Sequence, residues 1–252
     1  MTRAAAITTA TARFERGEFT RDLAALVAIP SESQTPEGAP HLRAYLDHIT
    51  PRLRAMGFTT EIIDNPLPGA PPLLLGERIE ATELPTILTY GHGDVTRAQT
   101  DAWAEGLAPF VLTERGEKLY GRGAADNKVQ HLVNLTALES VLATRGHLGF
   151  NVKIVLEMGE ETGSPGLAET FHRHKARLKS DVLIASDGPR LQPDRPTLFM
   201  GSRGGINFDP SVPGTLIRTA EQHRLINAQA ADEINVEIKT KFKLVAHRHF
   251  IK

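Results

Sequence analysis

The chain has 252 residues, of which 40% are hydrophobic and 23% are charged, the composition of an ordinary globular protein. The absence of cysteine excludes disulfide bonds, a cysteine nucleophile and thiolate metal ligands, so a metal ion would have to be held by histidine, aspartate or glutamate. Its 29 basic and 30 acidic residues give a net charge of -1, which argues against nonspecific binding to nucleic acid.

The hydropathy of the chain bears on where the protein works. No apolar run approaches the roughly 20 residues that a membrane-spanning helix needs. Residues 1–20 also lack the continuous apolar stretch of a secretory signal. Their low acidity up to Arg13 faintly resembles an organelle transit peptide, but a frayed segment leading into a helix is the preferred interpretation. We therefore expect a cytoplasmic protein with no membrane partner.

Hydrophobic periodicity predicts helices and strands that alternate along the chain. Helices are predicted before Ile29-Pro30 and over residues 41–56, 127–144 and 165–178. Strands are predicted over residues 58–63, 85–90, 152–156 and 181–185, and residues 110–112 and 118–120 are expected to form a hairpin. Pro51 is expected to break or kink the second helix. The alternation indicates an α/β fold, a mixed, mostly parallel sheet covered by helices on both faces.

A histidine and an aspartate follow the predicted strand at 85–90, in the segment Tyr90-Gly-His-Gly-Asp-Val95. In open α/β sheets, ligands bind where strands end. Residues two apart in extended chain point the same way, so His92 could bind a metal while Asp94 orients its imidazole. Taken alone, a loop histidine of this kind is more often simply exposed.

Two further acidic segments lie at structural boundaries. In Gly121-Arg-Gly-Ala-Ala-Asp-Asn-Lys128, Asp126 stands at or near a helix start, where it could cap the helix or bind a metal. Glu160 and Glu161 follow the predicted strand at 152–156 in a Gly-rich loop. They are either solvated or compensated by a cation, with one glutamate binding the ion and the other facing a water as base.

Asp187 follows the predicted strand at 181–185, in Ser-Asp-Gly-Pro. A turn-forming aspartate explains it equally well. Four such segments at strand exits and helix entries nevertheless favour a site for Zn²⁺, Mn²⁺ or Co²⁺, since imidazole and carboxylate are the donors that these ions take.

In this order, the motifs resemble the co-catalytic metallopeptidase family that includes carboxypeptidase G-type enzymes, aminoacylases, succinyl-diaminopimelate desuccinylases and carnosine-type dipeptidases. The resemblance covers roughly residues 14–209 and rests on His-x-Asp, Gly-Arg-Gly-x-x-Asp-Asn-Lys, Gly-Glu-Glu-x-Gly-Ser and Ser-Asp-Gly-Pro. Trp103 and Pro109-Phe110 match the stretch between the first two motifs. It implies the phosphorylase/hydrolase-like catalytic domain of zinc peptidases and hydrolysis of an amide bond in a dipeptide or an N-acyl amino acid.

The resemblance also implies roles for individual residues. His92 and Asp187 would bind one of two zinc ions, with Mn²⁺ or Co²⁺ as possible replacements, and Asp126 would bridge the pair. Glu161 would bind the second ion. Glu160 would be the general base on the metal-bridging water, and Asp94 would steer His92. Aspartate at 187, where many relatives have glutamate, resembles the dipeptidase branch.

The sequence departs from the family pattern in two small ways and one large one. Gly93 stands where bulkier residues are usual and is expected to loosen its loop. Val129 replaces a glycine and is expected to crowd a close approach. After residue 209, relatives continue into a lid domain that mediates dimerisation and then return with a last histidine ligand, and residues 210–252 have neither.

These departures predict a catalytic domain over residues 1–209 and an atypical, mildly basic tail over 210–252. The chain is expected to be truncated, with exposed apolar surface and an open sheet edge. His223, His247 or His249 could replace the missing ligand, but surface residues on an unrelated tail, produced by truncation or a shifted reading frame, are the preferred interpretation. The alternative function is a catalytically inactive remnant that binds one metal ion or none, and a structural α/β module with solvated acidic loops is a weaker third hypothesis.

Overall fold

Six α-helices and seven β-strands make up the part of the chain that the structure describes. The structure is a computed structural model, and it describes residues 2–188 and residue 195. The helices are α1 (Arg3–Glu15), α2 (Glu18–Val27), α3 (Ala39–Ala55), α4 (Lys128–Arg145), α5 (Leu167–Arg173) and α6 (Lys175–Leu178). The strands are β1 (Thr59–Ile63), β2 (Leu73–Arg78), β3 (Thr86–His92), β4 (Thr113–Arg115), β5 (Lys118–Tyr120), β6 (Asn151–Glu157) and β7 (Val182–Ala185).

Five strands form the central sheet in the order β1-β2-β6-β3-β7. The pairs β1/β2 and β2/β6 are antiparallel, whereas β6/β3 and β3/β7 are parallel. Strand β2 therefore runs opposite to the other four strands. The predicted mixed α/β sheet is confirmed, and its parallel neighbours are β6, β3 and β7.

Helices cover both faces of this sheet, because successive side chains of a strand point to opposite faces. On one face, Leu74 and Leu156 belong to a buried core that includes residues of α2, α3 and α4. On the other face, Leu75 and Val155 pack with Leu178 of α6. The two cores hold the strands rigidly, so that the residues at their ends keep defined positions.

The apolar stripes predicted for α2 and α3 are buried against the sheet. The buried residues are Leu23, Leu26, Val27, Leu42, Tyr45, Leu46, Ile49 and Leu53. The expected break at Pro51 is wrong, since α3 continues through it. Pro51 and Asp47 are both exposed, so water can hydrogen-bond the Asp47 carbonyl that loses its N–H partner.

Three other elements differ from the prediction. Strand β2 was not predicted, because leucines and a glycine carry little strand propensity, and its pairing on both sides decides its conformation. The hairpin forms between β4 and β5, so its first strand lies three residues later than expected. The helix predicted over residues 165–178 is divided into α5 and α6 at His174.

Several predictions fall on residues that the structure does not describe. They include the segment 201–209, the tail 210–252 and its histidines His223, His247 and His249. The domain boundary at residue 209 stays a prediction. Over residues 2–188, no helix combines the length and the apolar character required to cross a membrane.

Candidate metal centre

The candidate site lies at the edge of the sheet where β6, β3 and β7 end. These neighbours are parallel, with His92 of β3 paired in register with Glu157 of β6, so their carboxyl ends meet at one edge. Loops leaving such ends form the crevice in which open α/β sheets bind ligands. His92, the loop with Glu160, and Asp187 therefore come together although they are far apart in sequence.

His92 is fully buried, and its hydrogen bonds define which ring nitrogen is free. Its Nδ1 lies 3.0 Å from the backbone oxygen of Asp94 and 3.2 Å from Asp94 Oδ1. Both are acceptors, so Nδ1 carries the proton. Nε2 faces the crevice, and it is the ring nitrogen that could give up its proton to bind a cation, in the arrangement that commonly orients histidine ligands.

Two carboxylates converge on this nitrogen. Asp126 Oδ1 lies 3.0 Å and Asp187 Oδ1 3.6 Å from His92 Nε2. Ligand atoms of His92, Asp126 and Asp187 all lie within 4.8 Å of one another. Glu160 Oε2 lies 3.8 Å from the same nitrogen. Three acidic side chains thus surround one imidazole.

Asp126 does not cap helix α4, contrary to the simpler interpretation of its position. The N-cap residue is Asn127, and no side chain caps that helix end. The Asp126 side chain is 65% exposed and contacts His92 instead. An ion that enters the crevice from solvent can therefore contact the Asp126 carboxylate directly.

Asp94 joins His92 to the acidic loop. It is fully buried, and its two oxygens accept hydrogen bonds from the backbone N–H groups of Glu160, at 3.2 Å, and of Glu161, at 3.1 Å. These N–H groups begin a short 3-10 turn over residues 160–162 and have no partner within it. One carboxylate therefore orients the imidazole and holds the loop that carries both glutamates.

The loop is also held at its ends. Glu157 Oε1 accepts hydrogen bonds from the hydroxyls of Tyr90 and Ser164. Burial raises the pKa of Glu157, although both hydroxyls lower it. Glu161 lies on this loop but does not join the group of three ligand atoms within 4.8 Å.

The electrostatics of the site reflect an excess of negative charge. Burial lowers the pKa of His92, but the nearby carboxylates of Asp187 and Asp94 outweigh it and raise the pKa to about 11. Burial raises the pKa of Glu160 and of Glu161, and neighbouring carboxylates add to this. The proximity of His92 lowers the pKa of Asp187. The surroundings therefore favour a positive charge at this position.

The residues present fit a divalent transition-metal ion. One imidazole nitrogen with a defined proton on its other nitrogen and several carboxylate oxygens is a donor set of Zn²⁺, Mn²⁺ or Co²⁺. Within residues 2–188, no lysine or arginine forms an ion pair with Asp126, Glu160 or Asp187. A cation from solution can compensate these charges.

Two expectations about the departures from the family pattern change with the structure. Gly93 does not loosen its loop, because a Cβ there would lie 2.4 Å from ring carbons of Tyr45 and 2.9 Å from Met158 Sδ. The tyrosine ring fills the space. Val129 is partly buried and packs against the hydrophobic core.

Sequence reasoning missed Asn127, whose fully buried carboxamide lies between two strand ends. Its Nδ2 donates to Asp187 Oδ1 at 2.9 Å, and its Oδ1 accepts from the His92 backbone N–H at 3.2 Å. Next to an aspartate at a helix start, an asparagine looks like a cap. Its spacing of four residues from His131, which puts both on one helix face, was the available signal.

The fold and the crevice define a metallohydrolase-like α/β domain, and comparison with known proteins identifies its family. Residues 88–246 match the model of peptidase family M20/M25/M40. The chain belongs to this family, which confirms the resemblance found in the sequence.

Relatives and solved structures agree. The chain is 38% identical over 210 residues to the Beta-Ala-His dipeptidase of Mus musculus, covering 77% of this chain and 42% of that protein. It is 30% identical over 195 residues to the cysteinylglycine-S-conjugate dipeptidase of Corynebacterium striatum, covering 77% and 42%. The crystal structure of human carnosine dipeptidase 1 superposes with a TM-score of 0.68 at 31% identity, covering 73% of this chain and 41% of that one. The chain thus spans less than half the length of these relatives.

Proposed function

We propose that this protein is a metal-dependent hydrolase that cleaves the amide bond of a dipeptide or an N-acyl amino acid. The observation that carries the proposal is the convergence of His92, Asp126 and Asp187 within 4.8 Å, in a chain of this peptidase family. Glu160 stands beside them. The activity of the whole protein is part of the proposal, since the chain matches only 42% of the mouse dipeptidase.

Zinc is the proposed ion, because the site combines an imidazole with carboxylates, and Mn²⁺ or Co²⁺ would fit the same donors. His92 and Asp187 would hold one ion, and Asp126 would bridge it to a second ion held by Glu161. When bound, the ions lower the pKa of water and polarise the scissile carbonyl. Asp94 would keep the His92 imidazole aimed at the first ion.

Glu160 is the proposed general base. Its carboxylate lies 3.8 Å from His92 Nε2, and the hydrogen bond from its N–H to Asp94 holds its loop toward the crevice. Its raised pKa suits a group that both accepts and returns a proton. Glu160 takes a proton from the attacking water and delivers it to the leaving amine nitrogen, as the water oxygen bonds to the carbonyl carbon and the C–N bond breaks.

The names of the relatives favour small peptides as substrates. One acts on Beta-Ala-His and another on cysteinylglycine conjugates. We extend that substrate class to this protein. The cytoplasmic location stays a prediction from the sequence. The resemblance implies dimerisation through a lid domain only for the relatives, because residues 210–252 lack that domain.

The test measures bound metal and turnover in the full chain. The protein is loaded with Zn²⁺, its metal content is determined by elemental analysis, and a panel of β-alanyl-histidine, cysteinylglycine and an N-acetyl amino acid is offered. Glu160→Gln should retain the metal and lower kcat by roughly 10²- to 10⁴-fold. Glu169→Gln, the same change at an exposed glutamate of α5, should leave both unchanged.

Three results would count against the proposal. Wild type without bound metal would remove the proposed centre. Wild type that binds metal but hydrolyses nothing in the panel would favour the inactive remnant. Glu160→Gln with the wild-type kcat would take the role of base away from this residue.

A further inference from the structure

The buried carboxamide of Asn127 makes hydrogen bonds in two directions. Its Nδ2 donates to the backbone oxygen of Ser186 and to Asp187 Oδ1, both beyond the end of β7. Its Oδ1 accepts from the N–H of His92 and lies 3.3 Å from His131 Nδ1. One side chain therefore links β3, α4 and the loop that carries Asp187.

A second pair of buried groups continues the hydrogen-bond network from this carboxamide. Tyr45 of α3 and His131 of α4 are both buried, and the Tyr45 hydroxyl lies 2.7 Å from His131 Nε2. Because Asn127 Oδ1 can only accept, His131 must donate to it from Nδ1. His131 Nε2 is then unprotonated and accepts from the Tyr45 hydroxyl.

The charge state of His131 agrees with this assignment. Burial, with the positive charges of His92 and Lys128, lowers the pKa of His131 to about 3. The ring is therefore neutral at physiological pH and has one donor and one acceptor, as the two contacts require.

The packing leaves room for the carboxamide at one position in particular. A Cβ on Gly91 would lie 3.0 Å from Asn127 Oδ1 and 3.0 Å from the Cβ of His131. Such distances are tighter than ordinary contacts, so glycine at 91 lets the asparagine and the histidine approach strand β3. The hydrogen-bond network therefore depends on the missing side chain at position 91 as well as on the polar side chains.

We propose that Tyr45, His131 and Asn127 form a positioning relay that orients Asp187 as a metal ligand. The relay runs from the Tyr45 hydroxyl to His131, from His131 to the Asn127 carbonyl, and from the Asn127 N–H to Asp187. The inference rests on the proposed function, because it takes Asp187 as a ligand. All three residues are buried, so we infer that they act through Asp187 and His92.

The relay has a measurable consequence for ion binding. Groups that hydrogen-bond metal ligands from behind typically contribute 10- to 100-fold to metal affinity. The amide N–H of Asn127 is the sole member that contacts Asp187, so its loss should have the largest effect. The Tyr45 hydroxyl is separated from Asp187 by three hydrogen bonds, so its loss should have a smaller effect.

The experiment titrates the full chain with Co²⁺ and records its visible absorption spectrum, which depends on ligand geometry. Asn127→Ala should weaken Co²⁺ binding by roughly 10- to 100-fold and change the spectrum. Tyr45→Phe keeps the ring packed against position 93 and should weaken binding a few-fold. His131→Leu should weaken Co²⁺ binding by about as much as Tyr45→Phe does. His131→Asn places an amide N–H near the position of Nδ1, so it should recover most of the Co²⁺ affinity.

Asn134→Ala is the matched control. Asn134 donates to Ser186 Oγ at 2.8 Å, so its removal loosens the same loop without touching Asp187. Circular dichroism and the melting temperature of each metal-free variant establish that it folds. A purely structural role would lower the melting temperature while the Co²⁺ spectrum stays that of wild type.

The outcomes separate this inference from the proposed function. If wild type binds Co²⁺ and Tyr45→Phe, His131→Leu and Asn127→Ala bind it with the same affinity and spectrum, the relay is wrong while the metal centre stands. If wild type binds no Co²⁺, the metal centre is wrong and the relay fails with it. A graded loss across the three variants, with Asn134→Ala unchanged, supports the relay.

Discussion

Two clusters of charged side chains in this protein differ in how their charges are compensated. The helix ion-pair cluster joins α1–α4 through Arg13, Asp22, Arg52 and Glu139, where Arg52 Nε lies 2.7 Å from Glu139 Oε1 and Arg52 Nη1 lies 2.9 Å from Asp22 Oδ2. The strand-end cluster gathers Asp126, Glu160, Glu161 and Asp187 around the single imidazole of His92.

The comparison indicates what each cluster is for. In the helix ion-pair cluster, two guanidinium groups satisfy the carboxylates within the chain, as expected of a group that stabilises helix packing. In the strand-end cluster, burial and mutual repulsion raise the pKa of both glutamates. Within residues 2–188, no lysine or arginine forms an ion pair with Asp126, Glu160 or Asp187, so these carboxylates can take up an ion from solution.

Removal of the imidazole should have the greatest effect on ion binding. His92→Ala deletes a proposed ligand, so Zn²⁺ affinity should fall by more than the roughly 100-fold that loss of an outer hydrogen-bond partner can cost. Isothermal titration with Zn²⁺ measures it. Glu139→Gln is the control and should bind Zn²⁺ as wild type does. If His92→Ala binds Zn²⁺ with the wild-type affinity, the strand-end cluster is no more an ion-binding site than the helix ion-pair cluster is.

The ion itself should stabilise the folded chain. At a free Zn²⁺ concentration of 100 times the Kd, the free energy of unfolding should rise by about 2.7 kcal/mol. Urea denaturation with and without Zn²⁺ gives the value. The increase should persist in Glu139→Gln and vanish in His92→Ala, and an increase in His92→Ala would contradict the assigned site.

Loss of a carboxylate from the helix ion-pair cluster should reduce stability in a pH-dependent way. Burial raises the pKa of Glu139, but hydrogen bonds and charges from Arg52 and Arg13 outweigh it, so its folded-state pKa lies below the usual 4.5. A lowered pKa gives stability that is present above pH 4.5 and lost as pH falls through the folded value. Glu139→Gln should therefore cost about 2 kcal/mol at pH 7.

The same variant supplies its own check. In urea denaturation at successively lower pH below 4.5, the difference between wild type and Glu139→Gln should shrink as the wild-type carboxylate becomes protonated. A difference that stays constant as pH falls would mean that packing, not charge, explains the cost.

The smallest effect is expected at an exposed pair. Arg43 Nε lies 3.1 Å from Asp47 Oδ1 on α3, and both side chains are more than half exposed. Arg43→Ala should change the free energy of unfolding by less than about 0.5 kcal/mol, since water screens such pairs. A cost near that of Glu139→Gln would show that pairing alone, without burial, determines stability in this protein.

Much of the fold could be predicted because apolar periodicity records burial. The stripes of α2 and α3 and the strands β3 and β6 carry that signal. Strand β7 was predicted from its apolar residues, although they are exposed at the edge of the sheet. Helix α1 has no buried residue, so periodicity could not detect it. The residues of strand β2 do not show the alternation of apolar and polar side chains that predicts a strand. Its pairing with β1 and β6 determines its conformation instead.

The candidate site was predictable in part for a similar reason. His92, Asp126, Glu160 and Asp187 each follow a strand or precede a helix, and parallel strands bring such positions to one edge. The supporting contacts were not predictable. Asn127 belongs to a buried hydrogen-bond network that also includes Tyr45, 82 positions earlier in the sequence. The spacing of residues along the sequence does not predict a contact over such a separation.

The lack of room at Gly93 links two distant positions of the chain. A side chain at 93 would collide with the Tyr45 ring at 2.4 Å, so a larger residue there requires a smaller one at 45. That exchange removes the hydroxyl that hydrogen-bonds His131. Positions 45 and 93 should therefore co-vary among related sequences, with glycine at 93 accompanying tyrosine at 45, and designers who alter one should alter the other.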